Sequence, residues 1–434
     1  MRIFTTFLII SLFLSAFGAP LSAQKTDNRE LSLTIRNDAR LDSIQARALR
    51  LLTGFNAGTS YGEVWIRDLN TFIKGSLKVH AAEKVRDILL LFFKMQGNGG
   101  DIVDGYIDIK KASAGYEFRY FPAAPEWVAH KNTVETDQES SLIQAIRKYI
   151  DVTGDTSILQ EKIGEKTVIR RMEEALIYVH NERWSEKYGL VKGATTVDWG
   201  DVQPETGWGV TINHKTKWAV DIYDNAMYLI AIQDFLAIKP ATYQPTENWT
   251  NIARQISENV RKHLWESAAQ KYIPHLYLDG SPFHASFNEK KILYTGGSAC
   301  AILAGLHTPK EIAAINRQMV DAAAKEKFAT IGITVYPPYP AAEFPNMHPY
   351  IYQNGGDWTW FGGRMIQALI ANGFMKEAWD ELQPIIARTI ARNGFYEWYD
   401  VRTGEPKGSG DFRGEAGVLF DTITMLREWA EKNK

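Results

Sequence analysis

Two acidic segments that lie far apart in the chain each place a carboxyl group beside aromatic rings. Asp198 and Asp201 flank a Trp-Gly step, and Glu397 stands between a tyrosine and a tryptophan. A carboxyl group held against indole rings loses water, and this desolvation raises its pKa toward the range that a general acid needs. A second carboxyl group that stays ionised can accept a proton. The two segments therefore predict acid–base chemistry, with solvated acidic turns as the alternative.

Inverting hydrolysis of a glycosidic bond is a reaction that needs two such groups. One carboxyl group protonates the leaving oxygen, and the other, in its ionised form, deprotonates a water molecule on the opposite face of the sugar. The two groups have to lie ~6.5–9.5 Å apart to admit that water. The long separation of Asp201 and Glu397 along the chain is compatible with this distance, because distant loops of one fold can meet across a cleft.

Three further segments carry charged side chains, and the first and third of them also carry indole rings and glycine, which suits the hydroxyl groups and flat faces of sugars. They are 61–68, 135–139 and 352–360. Simpler explanations exist for each: an ion pair in the first, helix capping by acids in the second and a tight turn in the third. The side chains that we predict to contact a sugar are Trp65, Arg67, Asp68, Asp137, Trp199, Asn354, Trp358 and Trp360.

Helices must position these segments, because a helical periodicity of apolar residues recurs along the chain. In the segment 375–393, for example, Leu382, Ile385 and Ile386 fall on one apolar stripe. The predicted helices span approximately 29–52, 69–79, 82–96, 138–153, 156–182, 219–238, 247–267, 295–306, 309–325, 357–373, 375–393 and 415–432.

The connections between these helices alternate in length. Some are tight, such as Asn372-Gly373, and others are long and rich in Gly, Trp, Tyr and Asp. The long connections are 97–135, 184–218, 268–294, 326–356 and 394–414. This alternation predicts an all-α fold, an (α/α)6 toroid of helical hairpins with short strands in the loops, whose long loops form a cleft on one rim. An irregular helical solenoid is the alternative.

Composition excludes several other classes of protein. The 434 residues carry a net charge of −2, with 45% hydrophobic and 23% charged residues, which is typical of a folded globular chain. The balanced charge gives no general attraction to nucleic acid or anionic lipid. The single cysteine, Cys300, excludes an internal disulfide framework and a thiolate metal cluster, and the nine histidines show no metal-binding spacing. We therefore expect no metal and no organic cofactor.

The N-terminal segment has the pattern of a secretory signal peptide. Met1-Arg2 precedes an apolar run from Ile3 to Phe17, and small residues follow up to Ala23, where we predict cleavage. The run is shorter than the ~20 apolar residues of a membrane-spanning helix, although a membrane anchor is the alternative. Residues 24–434 would then form a single catalytic domain in the periplasm or outside a bacterial cell, without an integral membrane segment.

At these segments the chain resembles the (α/α)6-barrel glycosidases, and most closely the amylo-alpha-1,6-glucosidase part of glycogen-debranching enzymes and the alkaline/neutral invertases. Trp65-Ile66-Arg67-Asp68 resembles the WxRD-type first loop that contacts substrate, and Thr136-Asp137 resembles a segment whose Asp binds the sugar. Trp199-Gly200-Asp201 resembles the WMD step that carries the general acid. Glu397-Trp398-Tyr399-Asp400 resembles the ExYDxxTG element, whose Glu is the general base, and 354–360 resembles the NGGxWxW segment.

The resemblance implies an exported, exo-acting glycoside hydrolase that inverts configuration on short, α-gluco-configured oligosaccharides or glycosides. Asp201 would act as the general acid, with Asp198 as its alternative, and Glu397 would act as the general base. The expected partner is a carbohydrate substrate. The alternatives are a sugar phosphorylase or epimerase on the same barrel and a carbohydrate-binding protein without activity. The charge of Glu397 would repel phosphate, which favours hydrolysis over phosphorolysis.

Overall fold

The computed structural model describes residues 21–113, 117–204 and 209–434. Residues 1–20 of the predicted signal peptide lie outside this range. The chain divides into two compact units, one formed by Ala39–Met425 and the other by Leu426–Lys434 together with the N-terminal residues up to Asp38. Among the residues described, none of the helices combines the length and the apolar character that a bilayer crossing requires.

The described ranges include thirteen α-helices, which make up about half of the protein. They are α1 (Leu21–Asn37), α2 (Ala39–Leu51), α3 (Ile66–Val79), α4 (Ala82–Lys94), α5 (Gln138–Thr153), α6 (Val168–Glu182), α7 (Ile222–Ile238), α8 (Trp249–His263), α9 (Gly296–Leu303), α10 (Pro309–Glu326), α11 (Thr359–Ala371), α12 (Met375–Arg392) and α13 (Arg413–Lys432).

The strands are short and lie in the connections. They span Val64–Trp65, Gly105–Asp108, Arg119–Tyr120, Trp127–His130, Lys162–Ile163, Lys166–Thr167, Trp184–Ser185, Leu190–Val191, Gly193–Ala194, Trp218–Val220, Trp265–Glu266, Lys271–Tyr272, Leu276–Tyr277, Leu293–Tyr294, Val335–Tyr336, Tyr396–Tyr399 and Pro406–Gly410. All the described pairings are antiparallel, and the largest sheet has four strands. The predicted short strands within the loops are therefore confirmed.

In the unit 39–425, every second helix belongs to an inner ring. Helices α3, α5, α7, α9 and α11 each pack against the next one in this order. The first part of α13 completes the ring, because Gly417 lies against Phe72 of α3 and Val418 lies against Gly363 of α11. Eleven of the 13 residues of α11 are buried, against four of the 15 of α8, as expected for an inner and an outer helix. The predicted (α/α)6 toroid is confirmed.

The long connections all precede inner helices, so their residues gather at the N-terminal ends of the ring. They are 52–65, 95–137, 183–221, 264–295, 327–358 and 393–412. Four of the five connections that follow inner helices are shorter than all of these, down to residues 80–81 after α3, and the fifth, 154–167, is as long as 52–65. Gly154 ends α5 in the left-handed conformation that glycine adopts without strain, which explains the predicted boundary there. The long loops that contain the predicted site residues therefore lie on one rim of the ring.

Two predicted helices differ from the structure. The segment 29–52 forms two helices, α1 and α2, separated at Asp38, where polar side chains compete with the helical backbone for hydrogen bonds. The segment 156–182 begins with a 3-10 turn at Thr156–Gln160 and a small hairpin around Gly164, which has a φ of 63°. The α-helix therefore starts only at Val168. In both cases a local turn overrides a continuous apolar periodicity.

The contact of α13 with α3 tests how the ring closes. A Cβ atom added at Gly417 would lie 2.3 Å from Cβ of Phe72 and 2.5 Å from its Cα, so the backbone of one helix would have to move. We expect Gly417→Val to lower the free energy of unfolding by about 1–3 kcal/mol, as overpacking does. Urea denaturation measures this change. Ala371→Val, at an exposed position of α11, is the control, and equal midpoints for the two variants would contradict the close packing.

Candidate active site

Arg67, the second residue of α3, connects three of the acids at the loop-bearing rim. Its Nε and Nη2 donate to the two oxygens of Asp137 at 2.8 and 2.9 Å, and its Nη1 donates to Oδ1 of Asp201 at 2.6 Å. Nη2 also lies 3.2 Å from the Glu135 carboxylate. The planar fork of a guanidinium group suits such paired contacts. The structure therefore brings together Arg67, Asp137 and Asp201, which the sequence separates widely.

Asp201 is held from two sides and still reaches solvent. Gln353 donates to its Oδ2 at 2.8 Å and accepts a hydrogen bond from its backbone N–H at 3.1 Å. Asn132 donates to its backbone carbonyl at 3.0 Å. The Asp201 side chain remains 22% exposed. Its position is thus defined by protein contacts, while part of the carboxyl group stays open to a ligand.

Glu397 lies on the hairpin of strands Tyr396–Tyr399 and Pro406–Gly410. The strand pairing shifts register between Tyr396 and Trp398, so Glu397 occupies an irregular position of the kind that redirects a side chain. The buried Glu415 of α13 accepts hydrogen bonds from the Tyr399 hydroxyl at 2.7 Å and the Tyr396 backbone N–H at 2.6 Å. This contact fixes the hairpin, and with it Glu397, to the inner ring.

The Glu397 carboxylate is 5% exposed and accepts three hydrogen bonds. Tyr61 and Tyr352 donate to Oε1 at 2.6 and 3.2 Å, and the backbone N–H of Ser409 donates to Oε2 at 2.8 Å. Burial raises the pKa of Glu397, the three donors oppose that rise, and the negative charge of Asp201 adds to it. The influence of Asp201 places the two predicted catalytic acids in one electrostatic environment.

Asp68 is a third carboxyl group in the same environment. It is buried, and its Oδ1 has no hydrogen-bond partner among the described residues. Burial raises the pKa of Asp68 to about 7, and the charges of Glu397 and Asp201 contribute, while Arg67 opposes the rise. A buried carboxyl group of this kind can donate or accept a hydrogen bond near neutral pH, which is what recognition of a sugar hydroxyl requires.

Asp198, three residues before Asp201, is held by the backbone at the start of α9. It is 2% exposed, and its carboxyl group accepts from the backbone N–H groups of Gly296 at 2.8 Å and Gly297 at 3.0 Å, at the start of α9. Burial raises the pKa of Asp198 to about 8, against the effect of these donors. The φ of 53° at Asp198 turns its side chain toward that helix. This geometry favours Asp201 over Asp198 as the candidate acid.

Three of the predicted tryptophans form a buried wall. The Trp199 ring centroid lies 4.8 Å from that of Trp358 and 6.0 Å from that of Trp360, and it stacks on Phe361 at 4.3 Å. The Arg67 guanidinium lies 6.0 Å from the Trp199 ring. All three indoles are almost fully buried. They exclude water from the acid cluster and present little free surface to a sugar.

Trp65 is the most exposed of the predicted tryptophans. It is half-buried, and its ring stacks on that of His130 with the centroids 5.7 Å apart. His130 in turn lies 3.6 Å from Glu63, and this neighbour lowers the pKa of the Glu63 carboxyl group. Trp65 immediately precedes α3, whose first turn carries Arg67 and Asp68.

Asn354 lies near this site but points away from it. Its Nδ2 donates to the carbonyls of Tyr339 at 2.9 Å and Met347 at 2.8 Å, and its Oδ1 accepts from the Tyr339 N–H at 2.8 Å. The side chain is fully buried. The structure therefore does not bring Asn354 to the carboxyl groups. It instead fixes the loop that carries the preceding residue, Gln353.

Several residues that contact Arg67, Asp201 or Glu397 were not assigned a role from the sequence, Tyr352 and Asn132 among them. Tyr61 and Gln353 lie inside the segments that combine charge and aromatic rings, so their segments were predictable and their roles were not. Glu135 lies in the acidic segment before α5 and was explained there by helix capping. Ser409 acts through its backbone N–H, which leaves no signal in the sequence. Among the described residues, no group of three or more His, Cys, Asp or Glu could hold a metal ion.

A six-hairpin toroid with carboxyl groups gathered on its long-loop rim defines a glycosidase-like enzyme. Residues 44–401 match the family described as the Glycosyl hydrolase 94 superfamily, catalytic domain. The match covers most of the chain, and the protein belongs to this family. The resemblance to (α/α)6-barrel glycosidases is thereby confirmed. No curated protein matches the chain.

Solved structures with the same fold are glycosidases of low sequence identity. GH63 mannosylglycerate hydrolase from Thermus thermophilus, in complex with glucose, has a TM-score of 0.62 and 17% identity over 87% of this chain and 99% of its own. A rhamnosidase from Klebsiella oxytoca with rhamnose bound has a TM-score of 0.58 and 14% identity over 88% of this chain and 63% of its own. At such identities the likeness establishes the fold.

The close approach of Gly408 to Glu397 provides a test of this site. A Cβ atom at Gly408 would lie 2.3 Å from Oε2 of Glu397, so an added methyl group displaces the carboxylate. We expect Gly408→Ala to lower the rate of sugar release by about 100-fold, because Glu397 is a candidate catalytic group and small misplacements of such groups have large effects. Steady-state kinetics on any accepted glycoside measures the loss.

Gly404 on the same hairpin is the matched control for this substitution. Its φ of 64° is close to the 67° of Gly408, so alanine introduces the same backbone strain at both positions. A Cβ atom at Gly404 would have only ordinary contacts, the nearest at 3.5 Å. Gly404→Ala should therefore lose stability and keep its rate. Equal rates for Gly408→Ala and Gly404→Ala would show that displacement of Glu397 does not cause the loss of activity.

Proposed function

We propose that the protein is an inverting glycoside hydrolase in which Asp201 is the general acid and Glu397 the general base. The observation that carries this proposal is that two consecutive residues hold the two carboxyl groups, Tyr352 on Glu397 and Gln353 on Asp201. Both groups therefore border one short span of the rim. A gap between two carboxyl groups is the arrangement that a water molecule and a glycosidic oxygen require.

The two carboxyl groups differ in their exposure to solvent. Asp201 is partly exposed, so a glycosidic oxygen can approach it. Glu397 is buried, and its raised pKa makes it a better proton acceptor than an exposed carboxylate. Among the described residues, Oε2 of Glu397 accepts one hydrogen bond, from Ser409, and its second lone pair is left for the attacking water. Asp68 and Trp65 then supply polar and flat contacts to the sugar.

The charge of the site favours water over phosphate as the nucleophile. Many members of the family are phosphorylases rather than hydrolases, so phosphorolysis is the second candidate. Arg67 is already paired with Glu135, Asp137 and Asp201. Within the described ranges, no other lysine or arginine forms an ion pair with Asp201 or Glu397. A phosphate dianion beside Glu397 would be repelled by the negative charge of that carboxylate.

We infer an exo-acting mode, and the filled centre of the ring supports it. Arg364 of α11 donates to the hydroxyl of Thr71 on α3 at 3.1 Å and lies 3.9 Å from the Cys300 sulfur on α9. Side chains from three inner helices thus meet at the centre of the ring. We infer a blind-ended site that takes the end of a short, α-gluco-configured oligosaccharide or glycoside. The N-terminal signal-like segment supports export to the periplasm or the medium.

A hydrolysis screen tests the proposal. α- and β-linked disaccharides are incubated with the protein with and without inorganic phosphate, and NMR identifies the first-formed anomer. We expect free sugar of inverted configuration at a rate that does not depend on phosphate. A sugar phosphate would establish phosphorolysis, an isomer formed without uptake of water would establish epimerisation, and retention of configuration would exclude the arrangement of two carboxyl groups around a water.

Substitution of the two carboxyl groups tests their roles. We expect Asp201→Asn and Glu397→Gln each to lower kcat by about 100- to 10,000-fold, as loss of general acid or base catalysis does. Circular dichroism should show unchanged folding. Asp198→Asn is the control, because that group contacts the start of α9: it should lower the Tm and retain turnover. An inactive Asp198→Asn beside an active Asp201→Asn would exchange the two assignments.

A further inference from the structure

The Tyr352–Gln353 dipeptide contacts both members of the proposed acid–base pair. The Tyr352 hydroxyl donates to Oε1 of Glu397 at 3.2 Å, and the Gln353 amide donates to Oδ2 of Asp201 at 2.8 Å. A single trans peptide bond holds the Cα atoms of consecutive residues ~3.8 Å apart. One rigid dipeptide therefore contacts both carboxyl groups, although Asp201 lies in the loop before α7 and Glu397 in the loop before α13.

Gln353 makes two hydrogen bonds to a single residue. Its Nε2 donates to the Asp201 side chain, and its Oε1 accepts from the Asp201 backbone N–H at 3.1 Å. The Gln353 carbonyl accepts from the Thr334 hydroxyl at 2.7 Å, and the residue is fully buried. The Gln353 amide thus fixes both the main chain and the carboxyl group of Asp201. A side chain whose role was only to fill the core would not need these two hydrogen bonds.

Tyr352 adopts a backbone conformation that is unfavourable for its type. Its φ is 51°, in the left-handed region that glycine, asparagine and aspartate enter more easily than tyrosine. Its carbonyl accepts from the N–H of Gly356 and from Nε1 of Trp358, both at 3.0 Å, and these contacts hold the turn. Strain of this kind persists where the surroundings enforce it, and it is concentrated at functional sites.

We propose that Tyr352 and Gln353 form a positioning element that sets the separation and orientation of Glu397 and Asp201. This inference rests on the proposed function and assigns to the dipeptide a role that Asn354, its neighbour, does not share. Gln353 orients the proton of the acid toward the leaving oxygen. Tyr352 stabilises the ionised base by donating a hydrogen bond to it. Neither residue has to contact the substrate.

A change of leaving group tests the role of Gln353. In the disaccharide that the wild-type protein cleaves, the leaving oxygen needs a proton from the general acid. In the glycosyl fluoride of the same sugar, fluoride leaves without protonation. We expect Gln353→Met to lower kcat/KM on the disaccharide by about 100-fold, the contribution of a well-placed general acid, and to leave the rate on the fluoride nearly unchanged. A purely structural role would lower both rates equally.

The pH profile tests the role of Tyr352. Tyr352→Phe removes a donor that stabilises ionised Glu397, so the pKa of Glu397 should rise further. The base is active when ionised, and the acidic limb of kcat/KM should therefore move to higher pH. The rates on the disaccharide and on the fluoride should fall together, because both reactions need the activated water. An unchanged acidic limb would overturn the role of Tyr352.

Two matched controls separate positioning from loss of buried hydrogen bonds. Gln144→Met removes a buried amide that donates to the Met227 carbonyl, and Tyr228→Phe removes a buried hydroxyl that donates to the Leu176 carbonyl. Both should lower the Tm without a preference for one leaving group. A wild-type protein that releases no sugar would refute the proposed function and this inference together. An active wild type with equal losses on both substrates of Gln353→Met would refute the positioning role alone.

Discussion

The burial of several carboxyl groups around one guanidinium group is the interaction on which the rest of this site depends. Burial by itself would lower the pKa of Arg67. The negative charges of Asp137, Glu135 and Asp201 outweigh this effect and hold the pKa of Arg67 well above its usual value. Removing Arg67 would leave its buried carboxylate partners without a compensating charge, which is far more costly than the net value of the ion pairs. Because Arg67 stands at the start of α3, the N-terminal end of the inner ring determines where the acids collect.

Around this cluster, neighbouring residues have separate tasks. Asp198 binds the backbone at the start of α9, whereas Asp201 stays open to a ligand. Asn354 braces its own loop, whereas Gln353 holds Asp201. The buried indoles exclude water behind these groups, which strengthens every electrostatic interaction in front of them. The rim thus combines a rigid support with a small number of groups that are free to react.

Much of the fold was predictable because local signals and tertiary packing agree. The predicted helix 138–153 matches α5 at both ends, since an acidic segment precedes it and Gly154 ends it. The alternation of short and long connections was sufficient to predict the toroid. Predictions failed at Asp38 and at 156–167, where turns interrupt an apolar pattern that continues on both sides. The periodicity of apolar residues indicates only which face of a segment is buried. A turn that keeps the apolar residues on that face leaves the periodicity unchanged, so the pattern does not reveal the turn.

The sequence by itself determined the class of fold and the segments in which carboxyl groups, indoles and glycines come together, because these depend on residue type and on spacing along the chain. Only the tertiary structure decided between residues that stand close together, Asp198 or Asp201 and Gln353 or Asn354. The physical reason is that burial and hydrogen bonding are set by partners from distant helices. Gly296 and Gly297 engage Asp198, and Arg67 engages Asp201. No local pattern in the chain encodes those partners.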